Sequence, residues 1–248
     1  STEGSFTIAN NATYPSGAGI EVQGTGQFYV GAAATVTTFD AGAGVIDGYP
    51  KTIKKSADGK LEFGQITIVA TPANEVTTAT DFKITGTGAA TFNNTGAGGY
   101  FEATNGTVTF TGASPVAISV SPAVTIFNNL TVDGGAVASA LTFTNAQDFR
   151  IRGDLNVNGI STLAPVGTDT RIIFDGTGQQ IIGGTSTTVN AISFADLTIN
   201  KTDGSEVLMN IDMVAGSDPA HEINLQSGYL NIGSKTLTVG AGIISRNT

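Results

Sequence analysis

The sequence predicts an all-β chain, a right-handed parallel β-helix made of about three super-repeats of roughly 65 residues. Three observations predict it. One six-residue phrase occurs three times, as Phe63-Gly64-Gln65-Ile66-Thr67-Ile68, Phe127-Asn128-Asn129-Leu130-Thr131-Val132 and Phe194-Ala195-Asp196-Leu197-Thr198-Ile199, at steps of 64 and 67 residues. A period that constant marks an array of like units. The phrase also travels with companions. Asp81-Phe82-Lys83-Ile84-Thr85-Gly86 returns as Asp148-Phe149-Arg150-Ile151-Arg152-Gly153, with a weaker copy from Glu222 to Gly228. Gly24-Thr25-Gly26-Gln27 returns as Gly176-Thr177-Gly178-Gln179, with a degenerate copy at Gly112-Ala113-Ser114. Finally, segments such as Gly106-Thr107-Val108-Thr109-Phe110-Thr111 and Lys235-Thr236-Leu237-Thr238-Val239 alternate apolar and polar residues between Gly, Asn and Asp turns. Nowhere do apolar residues recur at helical spacing for three turns.

Each element follows from this frame. A unit of that length is short of the roughly 100 residues of a β-sandwich domain and suits three solenoid coils of about 20 residues. An antiparallel sandwich or jelly roll is the main rival fold. In a solenoid, equivalent strands stack, so Phe63, Phe127 and Phe194 are expected to form a core ladder. The spacing Phe-x-x-Ile-Thr-Ile is not strict period 2, which predicts a bend after the Phe, with Ile66 and Ile68 inward and Thr67 outward. Glycine at the corners answers a need for positive φ. The whole chain, 1–248, reads as one solenoid domain. Between Gly24 and Phe63 lie 38 residues, against 17 between Gly176 and Phe194. The excess, at about 40–60, is expected to be an inserted loop or hairpin.

The wording of residues 127–132, of Gly176-Thr177-Gly178-Gln179-Gln180-Ile181-Ile182-Gly183-Gly184, and of the run from Leu225 to Gly240 resembles the β-solenoid repeat regions of large secreted and cell-surface proteins of Bacteroidetes-like bacteria. The likeness is good over residues 100–243 and poor over 1–99. It implies a parallel β-helix that is extracellular or displayed on a bacterial surface, and it implies no enzyme.

Composition narrows the function classes. Net charge is −9, with 11 Lys and Arg in 248 residues, so no basic stripe exists for nucleic acid or an anionic membrane. There is no cysteine, which removes thiol nucleophiles and thiolate metal sites. No run of 18 apolar residues is present to span a membrane as a helix. His221, the one histidine, lies in a turn at Asp218-Pro219. The carboxylate pairs Asp148 with Asp154, Asp169 with Asp175, and Asp212 with Asp218 have the residue type a glycosidase or polysaccharide lyase needs. Most sit in Asp-Gly or Asx turn contexts, and without Trp the chain lacks the strongest sugar-stacking side chain. No catalytic or cofactor-binding residue is therefore assigned. Calcium suits the oxygen-rich turns best of the metals, but no spaced ligand loop points to a site. The sequons at Asn11, Asn93, Asn105, Asn129 and Asn200 follow from the richness in Thr.

The leading functional expectation is a non-enzymatic extracellular structural protein that assembles head to tail into a filament or layer, its partner being itself. A solenoid without end caps exposes strand edges and open core, and no amphipathic helix stands at either end of the sequence. Subunit-interface candidates are Phe6 and Ile8 at one end, Leu237 and Val239 at the other, and the basic cluster Lys51, Lys54, Lys55 and Lys60. That cluster is expected to meet the acid-rich stretch 169–222 of a neighbouring copy. The alternatives are an adhesin or stalk segment that binds surface glycans through lateral loops, and a polysaccharide-active β-helix enzyme.

Overall fold

A computed structural model describes residues 6–8, 19–22, 27–29, 36–40, 51–55, 60–63, 65–69 and 76–78 through their backbone, then 81–86, 88–94, 100–113, 116–120, 124–143, 148–164, 170–216 and 218–246. Among these residues the chain is a right-handed parallel β-solenoid with no helix. Successive strands go to the first, second and third sheet in turn, and the three sheets contain ten, ten and nine strands. Every pairing is parallel, each strand hydrogen-bonding to the equivalent strand of the coil before and after. The first sheet, for example, pairs Gly88–Asn94 with Val116–Val120, and that strand with Ala140–Phe143.

Alternation along each strand places the core. Thr107–Phe110, Asn129–Val132 and Ala140–Phe143 all bury every second residue. Stacking turns these residues into columns along the axis. In the second sheet one column runs Phe101, Thr125, Phe149, Ile172, Leu197, Ile223, Ile244. In the first sheet another runs Leu141, Leu163, Ile192, Met213, Leu237. Across the lumen, Phe92 packs on Phe101 and Phe127 with ring centroids 5.2 and 5.6 Å apart, and Phe101 on Phe127 at 6.0 Å. Edge-to-face and tilted pairs of this kind add to plain area burial.

The recurring phrase is a corner device rather than a rung of one ladder. Phe63 ends a strand of the third sheet, Phe127 one of the second, and Phe194 one of the first. In the two copies with described side chains, Phe127 and Phe194 are buried, a bend follows at Asn128 and Ala195, and Leu130 and Leu197 turn inward. The expected bend is present. The expected Phe ladder is not: Phe63 stands opposite Ile84, Phe127 opposite Ile151, and Phe194 opposite Ala215. A step of 64 or 67 residues spans eight strands, or two and two-thirds coils, so each copy turns a different corner. All three corners set the same problem, a last inward residue, a bend and a first inward residue, and the same residue types solve it.

Part of the segment expected as an insert at 40–60 belongs to the ladder. Lys51–Lys55 is a strand of the second sheet paired on both sides, with Gly19–Val22 and Val76–Thr78. Lys60–Phe63 is a strand of the third sheet, paired with Gln27–Tyr29 and Phe82–Ile84. The extra residues between Gly24 and Phe63 thus hold strands of a further coil, and residues 41–50 and 56–59 lie outside the described part.

Coil spacing fixes some glycines without any call on positive φ. A Cβ on Gly176 would lie 1.7 Å from the Arg152 carbonyl oxygen of the preceding coil. Gly176→Ala is expected to lower unfolding free energy by up to about 3 kcal/mol, because the obstacle is backbone held in two ladders. Urea denaturation measures it, and a loss no greater than that of an exposed Ala substitution would show that the corner can give way.

Candidate functional site

The residues richest in chemistry lie where the second sheet turns into the third. Each strand of the second sheet presents outward residues between its core positions. One outward column runs Val124, Asp148, Arg171, Asp196, Glu222, Ile243, and the next runs Glu102, Ile126, Arg150, Ile173, Thr198, Asn224, Ser245. Ion pairs bridge coils across this face. The Arg171 guanidinium grips Asp148 through two hydrogen bonds, Nε to Oδ1 at 2.9 Å and an η-nitrogen to Oδ2 at 2.7 Å. That contact, chiefly its hydrogen bonds, holds the Arg171 pKa above its ordinary value. Arg150 reaches Asp175 at 3.0 Å, and Arg152 pairs with Glu102 and approaches Asp175 at 3.9 Å. At the corner, Thr104, Asn128, Arg152, Asp175, Gly176 and Thr177 line a shallow groove of about 420 Å³. The charges there cancel, two arginines against Glu102 and Asp175, so the groove is polar and close to neutral.

Beneath it sits a buried polar staple. Lys201 is fully buried, and its ammonium donates to Gly176 O and, at 2.7 Å, to Gln180 Oε1. Gln180 also accepts from Gly176 N at 2.9 Å and donates from Nε2 to Ile151 O at 2.9 Å and to Gly153 O. One amide thus ties three consecutive coils together. Burial depresses the Lys201 pKa below 10.5, against the attraction of Asp203 and Asp175. A buried lysine is unexpected from sequence because the side chain ordinarily extends its charge to water. Nothing in Asn200-Lys201-Thr202-Asp203 signals that the facing corner supplies carbonyl and amide oxygens.

The acidic residues singled out by sequence act mainly as coil-to-coil acceptors. Asp154 Oδ1 accepts from Ile181 N and Asp212 Oδ1 from Thr236 N, each at 2.8 Å. Asp196 Oδ1 accepts from Glu222 N at 2.7 Å, and Asp81 Oδ1 from Thr107 N at 2.8 Å. Asp218 Oδ1 accepts from Ala220 N at 2.8 Å and its other oxygen lies 3.2 Å from His221 Nδ1, which places the histidine in the expected turn, buried rather than at the surface. Asp169 lies outside the described residues. Among the described residues no group of three or more His, Cys, Asp or Glu could hold a metal, and no helix is long and apolar enough to cross a membrane.

Asp203 gives the clearest pH signature. Ser205 Oγ, Gly178 N and Ser205 N all donate to its carboxylate, the Gly178 contact at 2.6 Å. These hydrogen bonds, led by Ser205, lower its pKa from 3.8 to about 2. A depressed carboxylate pKa contributes stability that is present above the unfolded value and is lost as pH falls through the folded value. Asp203→Asn should therefore remove part of the stability change between pH 3.8 and about 2. Acid unfolding curves that superimpose for the two proteins would contradict this.

The interface candidates fall into two groups. Leu237 and Val239 form the last rung of the first sheet, half-buried against Met213 and Ala215. Phe6 and Ile8 lie on the first strand of that sheet, paired with Thr37 and Phe39. Lys51, Lys54, Lys55 and Lys60 are ladder residues one coil further in. Scanning models of known protein families gives no match, and neither the curated proteins nor the solved structures contain one.

Proposed function

We propose that this chain is a non-enzymatic, extracellular structural protein of a bacterial surface whose solenoids join head to tail. The observation that carries the reading is the last coil. Ile244 continues the inward column after Leu197 and Ile223, yet it is 58% exposed, and Ile243 beside it is 59% exposed. Leu237–Val239, Ile243–Arg246 and Tyr229–Asn231 are the last strands of the three sheets among the described residues. The surface that would cover these strands and the column is one more coil of the same kind. The first coil of a second copy, beginning at the strand that carries Phe6 and Ile8, has that form. Burying one large apolar side chain contributes about 1.5–3 kcal/mol, and the strand hydrogen bonds supply direction. A heterologous contact of this kind does not close and grows as a filament. The resemblance to secreted repeat regions supports the location.

The test is negative-stain microscopy and sedimentation of the chain and of an Ile243→Lys, Ile244→Lys double variant. The expected result is filaments for the parent and monomers for the variant. A parent that stays monomeric at high concentration would overturn the reading. A second reading, a stalk that binds neutral glycans along its flank, draws on the groove at Arg152 and Asp175. Binding to a glycan panel that is lost in Arg152→Ala and unaffected by the end variant would favour it.

A further inference from the structure

We infer that Asn105 is a site of self-catalysed conversion to aspartate and isoaspartate, and that the fold protects the chain's other Asn-Gly pair from the same reaction. The sequence contains two such pairs, Asn105-Gly106 and Asn158-Gly159. Glycine after asparagine leaves the main-chain nitrogen unshielded, so both begin with equal chemistry. The fold then separates them.

Asn105 stands exposed at the turn between Tyr100–Ala103 and Thr107–Phe110. Its side-chain oxygen accepts from its own neighbour, Gly106 N, at 2.8 Å, and among the described residues it makes no hydrogen bond to another coil. That contact keeps the Gly106 nitrogen beside the side-chain carbonyl carbon it must attack. Asn158 is fixed across coils instead. Its Oδ1 accepts from Thr185 N at 3.0 Å and from Thr185 Oγ1 at 3.3 Å, and its Nδ2 reaches Asp133 Oδ2 at 3.5 Å. The glycine carbonyls are held at both sites, Gly159 O accepting from Thr187 N at 2.9 Å and Gly106 O from Asn129 N and Asn128 Nδ2, each at 3.1 Å, so the difference lies in the asparagine side chains. Turning the Asn158 carboxamide onto Gly159 N breaks the cross-coil bonds first.

The reaction balances without an outside reagent other than water. The Gly106 amide nitrogen loses its proton to base and bonds to Asn105 Cγ. The Cγ–Nδ2 bond breaks and ammonia leaves, closing a succinimide. Water then opens the ring at Cγ, giving aspartate, or at the main-chain carbonyl, giving isoaspartate. The isoaspartyl product lengthens the main chain at the corner and frees an α-carboxylate. A carboxyl methyl transfer is the class of reaction that would consume that group.

The test incubates the folded chain and a urea-unfolded sample in heavy-oxygen water at mildly alkaline pH, then quantifies label in tryptic peptides 84–150 and 153–171. The expected result is conversion at Asn105 at least about tenfold faster than at Asn158 in the folded chain, the size that two lost hydrogen bonds imply, and comparable rates once unfolded. Asn105→Gln, which keeps the turn and disfavours ring closure, should melt like the parent and carry no label there. Equal rates at the two sites in the folded chain, a faster Asn158, or no conversion at Asn105 when the unfolded chain converts would each overturn the assignment.

Discussion

Replacing Gln180 by Leu should cost about 3–5 kcal/mol of unfolding free energy, the largest loss expected from any polar substitution here. The change keeps the volume near that of the parent but removes four contacts at once. Gly176 N and Gly153 O lose the amide, Ile151 O keeps only Asp175 N at 3.3 Å, and the Lys201 ammonium keeps only Gly176 O in a closed corner. The cost should carry its own pH dependence. A lysine whose folded pKa is depressed destabilises the fold while it is charged, and that penalty is relieved as pH rises through the folded value toward the ordinary 10.5. The Gln180→Leu deficit should therefore shrink at alkaline pH. Lys201→Met placed in the same chain should recover part of it, because the two side chains are directly coupled. Urea denaturation across pH reads both effects, and a deficit that is flat with pH and additive with Lys201→Met would mean the staple is not a unit.

Phe92→Ala should lose about 3–5 kcal/mol, at the upper end for a large-to-small core change. Phe92 is fully buried and packs on three aromatic rings, Phe101, Phe110 and Phe127. Phe101 and Phe110 stand on the other two sheets of the same coil and Phe127 on the next coil, and all are fixed by ladders above and below, so the cavity has little means of collapse. Tyr229→Ala, on a side chain 53% exposed, should change stability far less. Similar losses for the two would show that the aromatic cluster does not hold the coils together.

The fold was legible in the sequence for a physical reason. Alternation writes the core face directly, and Asn129–Val132 or Thr107–Phe110 can be read residue by residue. The coil period was harder to see because corner loops vary in length. Phe92 and its partner Ile118 are 26 residues apart, Leu141 and Leu163 are 22 apart, and Leu163 and Ile192 are 29 apart. A self-comparison of the chain therefore finds the corner phrase, whose spacing happens to be steadier, and assigns it to one ladder. Lys51–Lys55 misleads differently. Excess length suggested an inserted loop or hairpin, whereas parallel pairing on both sides makes it a strand. The Gln180 and Lys201 staple was invisible because its partners are main-chain oxygens of other coils. The turn role of Asp218 was readable because Asx chemistry is local, whereas Asp154 and Asp212 accept from main-chain nitrogens of the next coil, which the sequence does not show.

The absence of cysteine makes the head-to-tail claim directly measurable by disulfide trapping. If one copy continues the first sheet of another, Leu237–Val239 stacks on Phe6–Ile8, and Thr238 faces Thr7 as Thr7 faces Thr38 within a chain. Neighbouring strands lie about 4.8 Å apart, within disulfide reach. Thr7 and Thr238 of a single chain stand on opposite end strands of the ten-stranded first sheet and cannot meet. A Thr7→Cys, Thr238→Cys chain, oxidised and run on a denaturing gel without reductant, should give a ladder of covalent multimers, while each single variant stops at dimer or monomer. A double variant that remains monomeric under the same oxidation would contradict end-to-end assembly.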